Sequence, residues 1–319
     1  MPEVSIIINC FNEEKFLPET MDSLFAQTFD DWEVIFWDNA STDSSPEIAK
    51  SYGEKVKYFR SETTLPLGQA RKLAADQATG DYLAILDADD IWLPEKLERQ
   101  LALHRANPEL GLTYCDSTYF DETGDLYNLF QMNKPHRGSV FGQLLTKNFM
   151  FSSSMMFRVS AFQEIGYGFD ERLARSQDYE LSLRIAYNYP VDYIDEPLCK
   201  WRMYRPSDKP WKKTLIPRVA DVKTGVDHLI EMYPDIEERF PTELKAFNRR
   251  LDYNFGITAW EQGDSSLARS YLSRHLSTLR FAILYLSTFA LSHESFYKLR
   301  MKLKKMATRR PAAIESDDQ

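Results

Sequence analysis

The chain has 319 residues, which is enough for one large domain or two modest ones with a substantial buried core. Its hydrophobic content of 43% and charged content of 27% are ordinary for a soluble globular protein. The formal net charge of -9 argues against a nucleic-acid-binding protein, because such proteins usually present a basic surface.

Targeting and redox signals favour a cytoplasmic protein. The three cysteines, Cys10, Cys115 and Cys199, have neither metal-site spacing nor the density of a disulfide framework, so a reduced compartment is expected. The N-terminus enters a strand-like run at once, and we expect no signal peptide. No uncharged apolar run reaches the roughly 18 to 20 residues that span a bilayer.

The first hundred residues alternate between strand-like and helix-like patterns. Short apolar runs predict strands at residues 4–8, 32–37, 56–59 and 82–86. Helical patterns lie between them, with Asn12 and Ser45 as expected N-caps and a further helix from about Gly68. Strands that alternate with helices predict an α/β fold, in which a mostly parallel sheet carries helices on both faces.

The chain changes character after residue 94. A helix is expected from Pro94 to Asn107, a strand over 111–116, an apolar segment at 153–157 and a helix over 177–187. Beyond that, amphipathic helical patterns are separated by prolines and one glycine. A boundary is expected near residues 206–216, where the prolines cluster: Pro206, Pro210 and Pro217.

Three carboxylates, Asp87, Asp89 and Asp90, follow the strand predicted at 82–86. Ligands bind at strand ends in open α/β sheets. Carboxylates this close repel one another unless a cation is present, and Mg²⁺ and Mn²⁺ prefer oxygen ligands that substrate phosphates can complete. The alternative is a solvated acidic turn that caps the helix after Pro94.

Polar and aromatic residues also follow the first two predicted strands. Residues 9–12 read Asn-Cys-Phe-Asn, and residues 38–43 read Asp-Asn-Ala-Ser-Thr-Asp. Three adjacent strand ends would then surround a pocket suited to a base, a ribose and a diphosphate. Taken singly, the second segment is equally a turn and helix cap. No G-x-G-x-x-G or Walker A loop follows any strand, which disfavours dinucleotide and ATP binding.

Together these segments resemble family 2 glycosyltransferases of GT-A fold. The resemblance covers roughly residues 3–205 and rests on Phe11-Asn12, the 38–43 segment, Gly68 with Arg71, and Asp87-Ala88-Asp89-Asp90. It implies a Rossmann-like mixed, mostly parallel sheet followed by a C-terminal helical region. It also implies transfer of a sugar from a nucleotide-diphosphate sugar, with a UDP-sugar favoured, to a glycan or lipid-linked acceptor with inversion at the anomeric carbon.

The resemblance implies roles for individual residues around the donor. It assigns the nucleobase to Asn9, Phe11, Asp38 and Asn39. Asp87 would lie near the ribose and the sugar, and Asp89 would bind a divalent metal, Mn²⁺ or Mg²⁺, that bridges the diphosphate. Arg71 would lie near the nucleotide, and its alternative role is a surface salt bridge.

On the acceptor side, Asp178 matches the general base of the family. An inverting transfer needs a carboxylate close to the acceptor hydroxyl to accept its proton. Gln177 stands where relatives usually have Glu, which removes one charge and one acceptor contact beside the base. The alternative is that Asp178 and Glu180 only decorate the first turn of a helix, where carboxylates are favoured.

Many relatives carry Tyr-Arg-x-His after the last core strand, and this chain reads Trp201-Arg202-Met203-Tyr204. Tyrosine is a poor metal ligand at neutral pH. Metal binding would then rest on Asp89, the diphosphate and water, while Arg202 and Arg205 supply positive charge to the phosphates. In the alternative, Trp201 serves packing and Arg202 lies on the surface.

The resemblance divides the chain into three parts. Residues 1–110 would form the nucleotide-sugar-binding half and residues 111–210 the acceptor-binding half of one GT-A domain. Residues 211–319 would form the C-terminal helical region with a basic tail.

The C-terminal region also has a possible role of its own. Apolar residues at helical spacing lie at Leu276, Leu279, Ile283, Leu286 and Ala290. A basic cluster follows at Lys298, Arg300, Lys302, Lys304, Lys305, Arg309 and Arg310. Such a pair of features predicts peripheral contact with the inner membrane face. The alternative is a helix packed on its own protein with a solvated tail.

Two rival functions remain open. The chain could be a catalytically silent nucleotide-sugar-binding or membrane-tethering subunit, which Gln177 and Tyr204 allow and which retention of Asp89 and Asp178 opposes. A nucleotidyltransferase would be expected to carry a glycine-rich loop after the first strand, and residues 9–15 contain no glycine.

Overall fold

The computed structural model describes residues 1–166, 168–204 and 215–308. Arg205, Arg309 and Arg310, as well as Pro206 and Pro210 of the predicted boundary, lie outside the described residues.

Four parallel strands form the first half of the sheet. They are β1 (Val4–Cys10), β2 (Trp32–Asp38), β3 (Val56–Arg60) and β4 (Tyr82–Ile85), in the order β3-β2-β1-β4. The helices between them are α1 (Leu17–Phe25), α2 (Ser45–Ser51) and α3 (Leu67–Ala75). β1 and β2 are buried along almost their whole length, as expected for β-branched and aromatic runs covered on both faces.

The second half continues the same sheet. Its strands are β5 (Ile91–Trp92), β6 (Leu112–Asp121), β7 (Gly124–Asn128), β8 (Met156–Arg158) and β9 (Val191–Arg202). Its helices are α4 (Lys96–Ala106), α5 (Leu129–Met132), α6 (Phe141–Thr146), α7 (Val159–Glu164) and α8 (Gln177–Asn188). From β4 the order runs β4-β8-β6-β9-β5, with β7 paired to β6.

The longest ladders of the sheet, β1–β2 and β6–β9, are parallel. The short strand β8 runs antiparallel to both β4 and β6, and the two-residue β5 runs antiparallel to β9. The sheet is therefore mixed and mostly parallel, as predicted. Because β8 lies between β4 and β6, one continuous sheet joins residues from both halves.

The predicted caps at Asn12 and Ser45 are both wrong. α1 begins only at Leu17, and Asn12 adopts a left-handed backbone with a φ of 57° in the loop before it. α2 is capped by Ser44, and the Ser45 hydroxyl instead accepts a hydrogen bond from the backbone N–H of Glu13. Both side chains serve a neighbouring loop, and the spacing of the local sequence does not reveal such a partner.

The C-terminal part is helical, as predicted. Its helices are α9 (Leu215–Met232), α10 (Ile236–Arg239), α11 (Pro241–Glu261), α12 (Ser265–Leu272), α13 (Leu279–Ala290) and α14 (His293–Thr308). None of the described helices combines the length and the apolar character needed to cross a bilayer.

Backbone contacts divide the described residues into two compact units. The first comprises residues 1–204 with 220–244 and contains the sheet. The second comprises residues 215–219 with 245–308. Its small core is built around Trp260 and Phe296, whose rings stack with centroids 3.7 Å apart.

Candidate active site

The carboxyl end of β1 carries an amide that has no partner among the described residues, followed by a half-exposed aromatic ring. Both side-chain amide atoms of Asn9 are buried, and neither has a hydrogen-bond partner among the described residues. A buried polar group left unpaired costs about 1–3 kcal/mol, so such a group is expected to meet a ligand or water. Phe11, two residues later, is 47% exposed. This strand end therefore combines an unpaired amide with a half-exposed aromatic ring.

Asp38 and Asn39, at the end of β2, hold loops in place. Asp38 is fully buried, and its carboxylate accepts hydrogen bonds from the Ser41 N–H at 2.8 Å, from the Tyr58 hydroxyl at 2.6 Å and from Arg60. The Asn39 amide donates to the carbonyl of Leu65 and accepts from its N–H, both at 2.9 Å. These two side chains fix the shape of the loops after β2 and β3.

The loops after β1 and β2 are tied to each other. The side-chain Oδ1 of Asn12 accepts from the Thr42 N–H at 2.7 Å, and the Asp43 carboxylate accepts from the Glu14 N–H at 2.9 Å. Burial alone would raise the pKa of Asp43, but hydrogen bonds from Glu14 and Ser45 lower it overall. These hydrogen bonds therefore join the loops after β1 and β2 into one preorganised wall of the candidate site.

Asp87 forms an ion pair with the buried Arg71 of α3. Arg71 is 3% exposed, so the alternative that it makes a surface salt bridge is wrong. Burial raises the pKa of Asp87, Arg71 opposes that rise, and the carboxylates of Asp89 and Asp178 add to it. The Nε of Arg71 is buried without a hydrogen-bond partner among the described residues.

Asp90 is turned into the protein. Its carboxylate accepts from the Ser153 hydroxyl at 2.6 Å and from the Arg202 N–H at 3.1 Å. Burial, with the charges of Asp89 and Asp87, raises its pKa well above the ordinary value. Asp90 therefore anchors the turn after β4 and does not face a shared cation, in contrast to the crowded triad expected from the sequence.

Asp89 lies at the open side of this turn. Its Oδ2 accepts a hydrogen bond from the Tyr204 hydroxyl, and its carbonyl accepts from Nε of Arg202 at 2.9 Å. Burial, together with Asp89, raises the pKa of Tyr204 far above its ordinary value, so the hydroxyl keeps its proton. The Tyr204 hydroxyl thus occupies one oxygen of the carboxylate predicted to bind a metal.

The described residues contain no cluster of three or more His, Cys, Asp or Glu side chains that could hold a metal unaided. Asp87 is paired with Arg71 and Asp90 with Ser153, which leaves Asp89 as the carboxylate available at the turn. A hard divalent cation fits such a site only if a substrate and water supply the remaining oxygens.

Trp201 and Arg202 support the turn from β9. The Trp201 ring stacks on Phe151 with centroids 4.3 Å apart. The Arg202 guanidinium donates to Glu19 at 2.5 Å and lies over the rings of Phe16 and Phe120 at 4.4 and 4.5 Å. Its side chain is 12% exposed, so the surface alternative for Arg202 is wrong.

Asp178 stands in the first turn of α8. Ser176 before it has a left-handed backbone with a φ of 60°, and the Gln177 side chain is buried with its Oε1 unpaired among the described residues. No described residue donates a hydrogen bond or forms an ion pair with the Asp178 carboxylate. It lies close enough to Asp87, in the turn after β4, to raise the pKa of that residue.

Gly68 explains how α3 and α8 come together. Its N–H donates to the Leu173 carbonyl at 3.1 Å. A Cβ at this position would lie under 3.0 Å from the carbonyl oxygens of Asp170 and Leu173. Only glycine lets the start of α3, which carries Arg71 one turn later, approach the loop that leads to Asp178 this closely.

The sequence reasoning missed Ser153. Residues 153–157 were expected to be one apolar segment, but Ser152–Ser154 form a 3₁₀ turn and the strand begins only at Met156. The Ser153 hydroxyl accepts from the Asp87 N–H at 3.1 Å and donates to Asp90. Three consecutive serines before a buried strand were the available signal, because a run of hydroxyl groups is unusual there.

The sequence of the chain was compared with known families. A model described as glycosyl transferase family 2 matches residues 5–166, half of the chain. The chain belongs to this family. It is a glycosyltransferase. The match covers Asn9 to Asp90 and ends before Asp178, Trp201 and Tyr204.

Curated relatives of this family 2 glycosyltransferase are themselves named glycosyltransferases. It is 35% identical over 208 residues to the uncharacterized glycosyltransferase MJ1057 of Methanocaldococcus jannaschii, covering 63% of this chain and 71% of the relative. It is 27% identical over 261 residues to the amylovoran biosynthesis glycosyltransferase AmsB of Erwinia amylovora, covering 78% and 84%. Some relatives are longer: the chain spans 34% of a glycosyltransferase of Rickettsia felis, at 29% identity.

Solved structures share the fold of this family 2 glycosyltransferase. Residues 1–349 of S. aureus TarS, in complex with UDP-GlcNAc, superpose with a TM-score of 0.58 at 17% identity, covering 93% of this chain and 92% of that one. The mannosyltransferase PcManGT from Pyrobaculum calidifontis, in complex with GDP-Man and Mn²⁺, superposes with a TM-score of 0.59 at 17% identity, covering 91% and 80%. The predicted GT-A fold is confirmed.

Proposed function

We propose that the chain transfers a sugar from a nucleotide-diphosphate sugar to a glycan or lipid-linked acceptor, with inversion at the anomeric carbon. The observation that carries this proposal is that Asp178 of α8 lies close enough to Asp87, in the turn after β4, to raise its pKa, while no described residue pairs with the Asp178 carboxylate. UDP-sugars are the first donors to test. TarS, crystallised with UDP-GlcNAc, and PcManGT, crystallised with GDP-Man, define the two donor classes to compare.

The end of β1 supports a nucleobase site. A base needs a face on which to stack and a hydrogen-bonding partner for its edge. The exposed ring of Phe11 offers the first, and the unpaired amide of Asn9 offers the second. Asp38 and Asn39 contribute by holding the loops that form the wall, since their own polar atoms are already engaged.

The turn after β4 supports the diphosphate site. Asp89 would hold Mn²⁺ or Mg²⁺, with the diphosphate and water completing the coordination. Such an ion supplies positive charge that stabilises the leaving nucleoside diphosphate. Arg71 holds the Asp87 carboxylate in place beside the sugar, while Arg202 and Asp90 keep the turn in position.

Asp178 supports the inverting step. The acceptor hydroxyl gives its proton to the Asp178 carboxylate as its oxygen bonds to the anomeric carbon, and the bond from that carbon to the diphosphate breaks on the opposite face. No hydrogen bond or ion pair from the described residues occupies this carboxylate, so its oxygens are open to the acceptor hydroxyl. Because Gln177 is uncharged, it does not add a second negative charge beside Asp178.

A second candidate is a silent nucleotide-sugar-binding subunit. The observation that favours it is the Tyr204 hydroxyl on Asp89, because that contact competes with a metal for the oxygen. Residues 1–110 would bind the donor in both cases. Only in the first would residues 111–210 bind an acceptor for turnover.

One experiment separates the two candidates. The purified chain is incubated with UDP- and GDP-sugars, with and without Mn²⁺, and release of nucleoside diphosphate is measured. We expect metal-dependent release that Asp89→Ala reduces to background, while Asp125→Ala, at an exposed carboxylate elsewhere, leaves it unchanged. Full activity of Asp89→Ala, or activity in excess chelator, would contradict the metal role. Donor binding without any release would favour the silent subunit.

A further inference from the structure

We propose that the outward face of α13 and the basic residues around it dock on an anionic membrane surface. This inference is independent of the transfer reaction, because it rests on residues 265–308 alone. The outward face is defined by four side chains, Leu279, Ile283, Leu286 and Phe289.

The outward face is apolar and exposed. Its four side chains are 75%, 54%, 65% and 65% exposed, in chain order. Steps of four, three and three residues place them on one side of the helix. Phe281 and Thr288, on the opposite side, are the buried residues of α13. The helix is thus anchored by its other side, and soluble proteins rarely leave a contiguous apolar surface of this kind uncovered.

The charge of this stretch is opposite to that of the whole chain. Residues 265–308 contain eight lysines and arginines and one acidic residue, Glu294, in a chain of net charge -9. Arg269 lies over the Phe289 ring at 4.6 Å, so a guanidinium borders the outward face directly. Arg280, Lys298 and Lys302 are exposed. An apolar helix face bordered by cations has the chemistry of an interfacial helix on anionic lipid.

The same charges argue against a second copy of the chain as the occupant. Two outward faces brought together would also bring together two strongly basic stretches, which repel. An anionic bilayer instead offers lipid phosphates to the exposed cations while the apolar side chains of the outward face enter the acyl boundary. Since α13 has 12 residues, it is long enough to lie in the membrane interface but too short to span the bilayer.

Flotation with vesicles tests the proposal on the full chain. Vesicles of phosphatidylcholine alone are compared with vesicles that also contain phosphatidylglycerol, at about 0.1 M and about 0.5 M salt. We expect binding to the anionic vesicles that weakens at high salt. Lys298→Gln with Lys302→Gln should weaken that binding and reduce its dependence on salt.

The apolar contribution has a matched control. Leu279→Ser with Leu286→Ser should weaken partitioning about 10- to 100-fold, because two leucines no longer leave water. Leu126→Ser with Met132→Ser changes two exposed apolar side chains of the first unit, 45% and 62% exposed, and should bind vesicles like the unchanged protein. Since all four residues are exposed, circular dichroism should show folded protein in every case.

Three outcomes would overturn the proposal. The first is that the full chain fails to float with anionic vesicles at low salt. The second is that the Leu279/Leu286 variant binds these vesicles as well as the control variant does. In the third, light scattering shows a dimer that the Leu279/Leu286 variant converts to a monomer, without vesicle binding. Release of nucleoside diphosphate in the absence of vesicles should be the same in all variants, so the two proposals fail separately.

Discussion

Asp87, Asp89 and Asp90 lie within a stretch of four residues, and each carboxylate has a different partner. Asp87 faces Arg71, Asp89 receives the Tyr204 hydroxyl, and Asp90 receives the Ser153 hydroxyl. Each partner therefore offsets only part of the mutual repulsion predicted from the sequence, which still helps to raise the pKa of Asp87 and of Asp90. Substitution at one of them removes one contact and leaves the other two carboxylates with their partners.

The Asp178→Asn variant tests the proposed base. Asparagine is nearly isosteric but cannot accept the proton, so we expect kcat to fall by about 10²- to 10⁴-fold. Donor affinity should change little, because no donor-side residue in the described part of the chain forms a hydrogen bond or ion pair with this carboxylate. Steady-state kinetics with the donor identified by nucleotide release would measure both, with Asp227→Asn, at an exposed carboxylate of α9, as the control. A loss of donor binding at unchanged turnover of the bound donor would mean that Asp178 has a structural role.

The Tyr204→Phe variant tests whether the hydroxyl competes with the metal. Phenylalanine keeps the ring against Phe16, whose centroid is 5.6 Å away, and removes the hydroxyl that donates to Asp89. A net hydrogen bond of about 1 kcal/mol no longer has to break, so we expect Mn²⁺-dependent nucleotide binding to tighten about 3- to 10-fold. Titration calorimetry with and without Mn²⁺ measures this. Equal or weaker binding would show that the hydroxyl assists the site instead of blocking it.

At the scale of elements, the sequence located the strands well where burial is uniform. The run predicted at 32–37 is the strand Trp32–Asp38, and the helix predicted from residue 177 begins at Gln177. The local sequence is enough to predict both elements. A run of β-branched and aromatic residues favours the strand, and carboxylates in the first turn favour the helix. Two-residue β5 and three-residue β8 carry no periodic pattern, and only their partners in the sheet define them.

The candidate site was predictable to a similar extent. The strand ends pointed to residues 9–12, 38–43 and 87–90, and these lie at neighbouring strand ends in the structure. The sequence did not reveal that Asp38, Asn39 and Asp90 would be fully engaged by the protein. Such partners as Leu65 and Ser153 are distant in the chain, so no local spacing predicts them.

The Gly68→Ala variant tests the contact between α3 and the loop before α8. The new methyl group would collide with two backbone carbonyls, and a change of rotamer cannot move backbone atoms away. We expect a loss of roughly 1–3 kcal/mol in the free energy of unfolding and lower turnover, because Arg71 shifts with α3. Urea unfolding measures the first and nucleotide release the second.

Gly142→Ala in α6 is the matched control for this change. Its added methyl group would first meet the flexible Glu243 side chain, at 3.2 Å, and should cost little. If Gly68→Ala is as stable as this control, the loop does not constrain α3.

At the scale of the whole molecule, a buried histidine links stability to pH. Burial lowers the pKa of His104 to about 4, with Arg158 adding to the effect, while an unfolded histidine titrates near 6.5. Between these values the unfolded chain binds one more proton than the folded one. This contribution to stability is therefore complete above about pH 6.5 and is lost as pH falls toward 4.

Urea unfolding at several pH values measures this effect. Between pH 6.5 and 4 the histidine should reduce the free energy of unfolding by about 1–3 kcal/mol. Asp87 and Asp90, whose pKa values are raised, act in the opposite direction, so the difference between the unchanged protein and His104→Gln isolates the histidine. Parallel pH curves for the two proteins would show that His104 is already protonated in the fold.

The antiparallel strand β8 has a consequence for biosynthesis. β4 ends at Ile85, yet its second neighbour is supplied only by Met156–Arg158. At translation rates of about 5–20 residues per second, the ribosome needs roughly 4 to 14 seconds to make the intervening chain. During that interval the nascent protein presents an apolar strand with open backbone groups, a template for pairing between chains. A pause in translation before residue 156 would therefore lengthen the time in which the growing chain depends on chaperones.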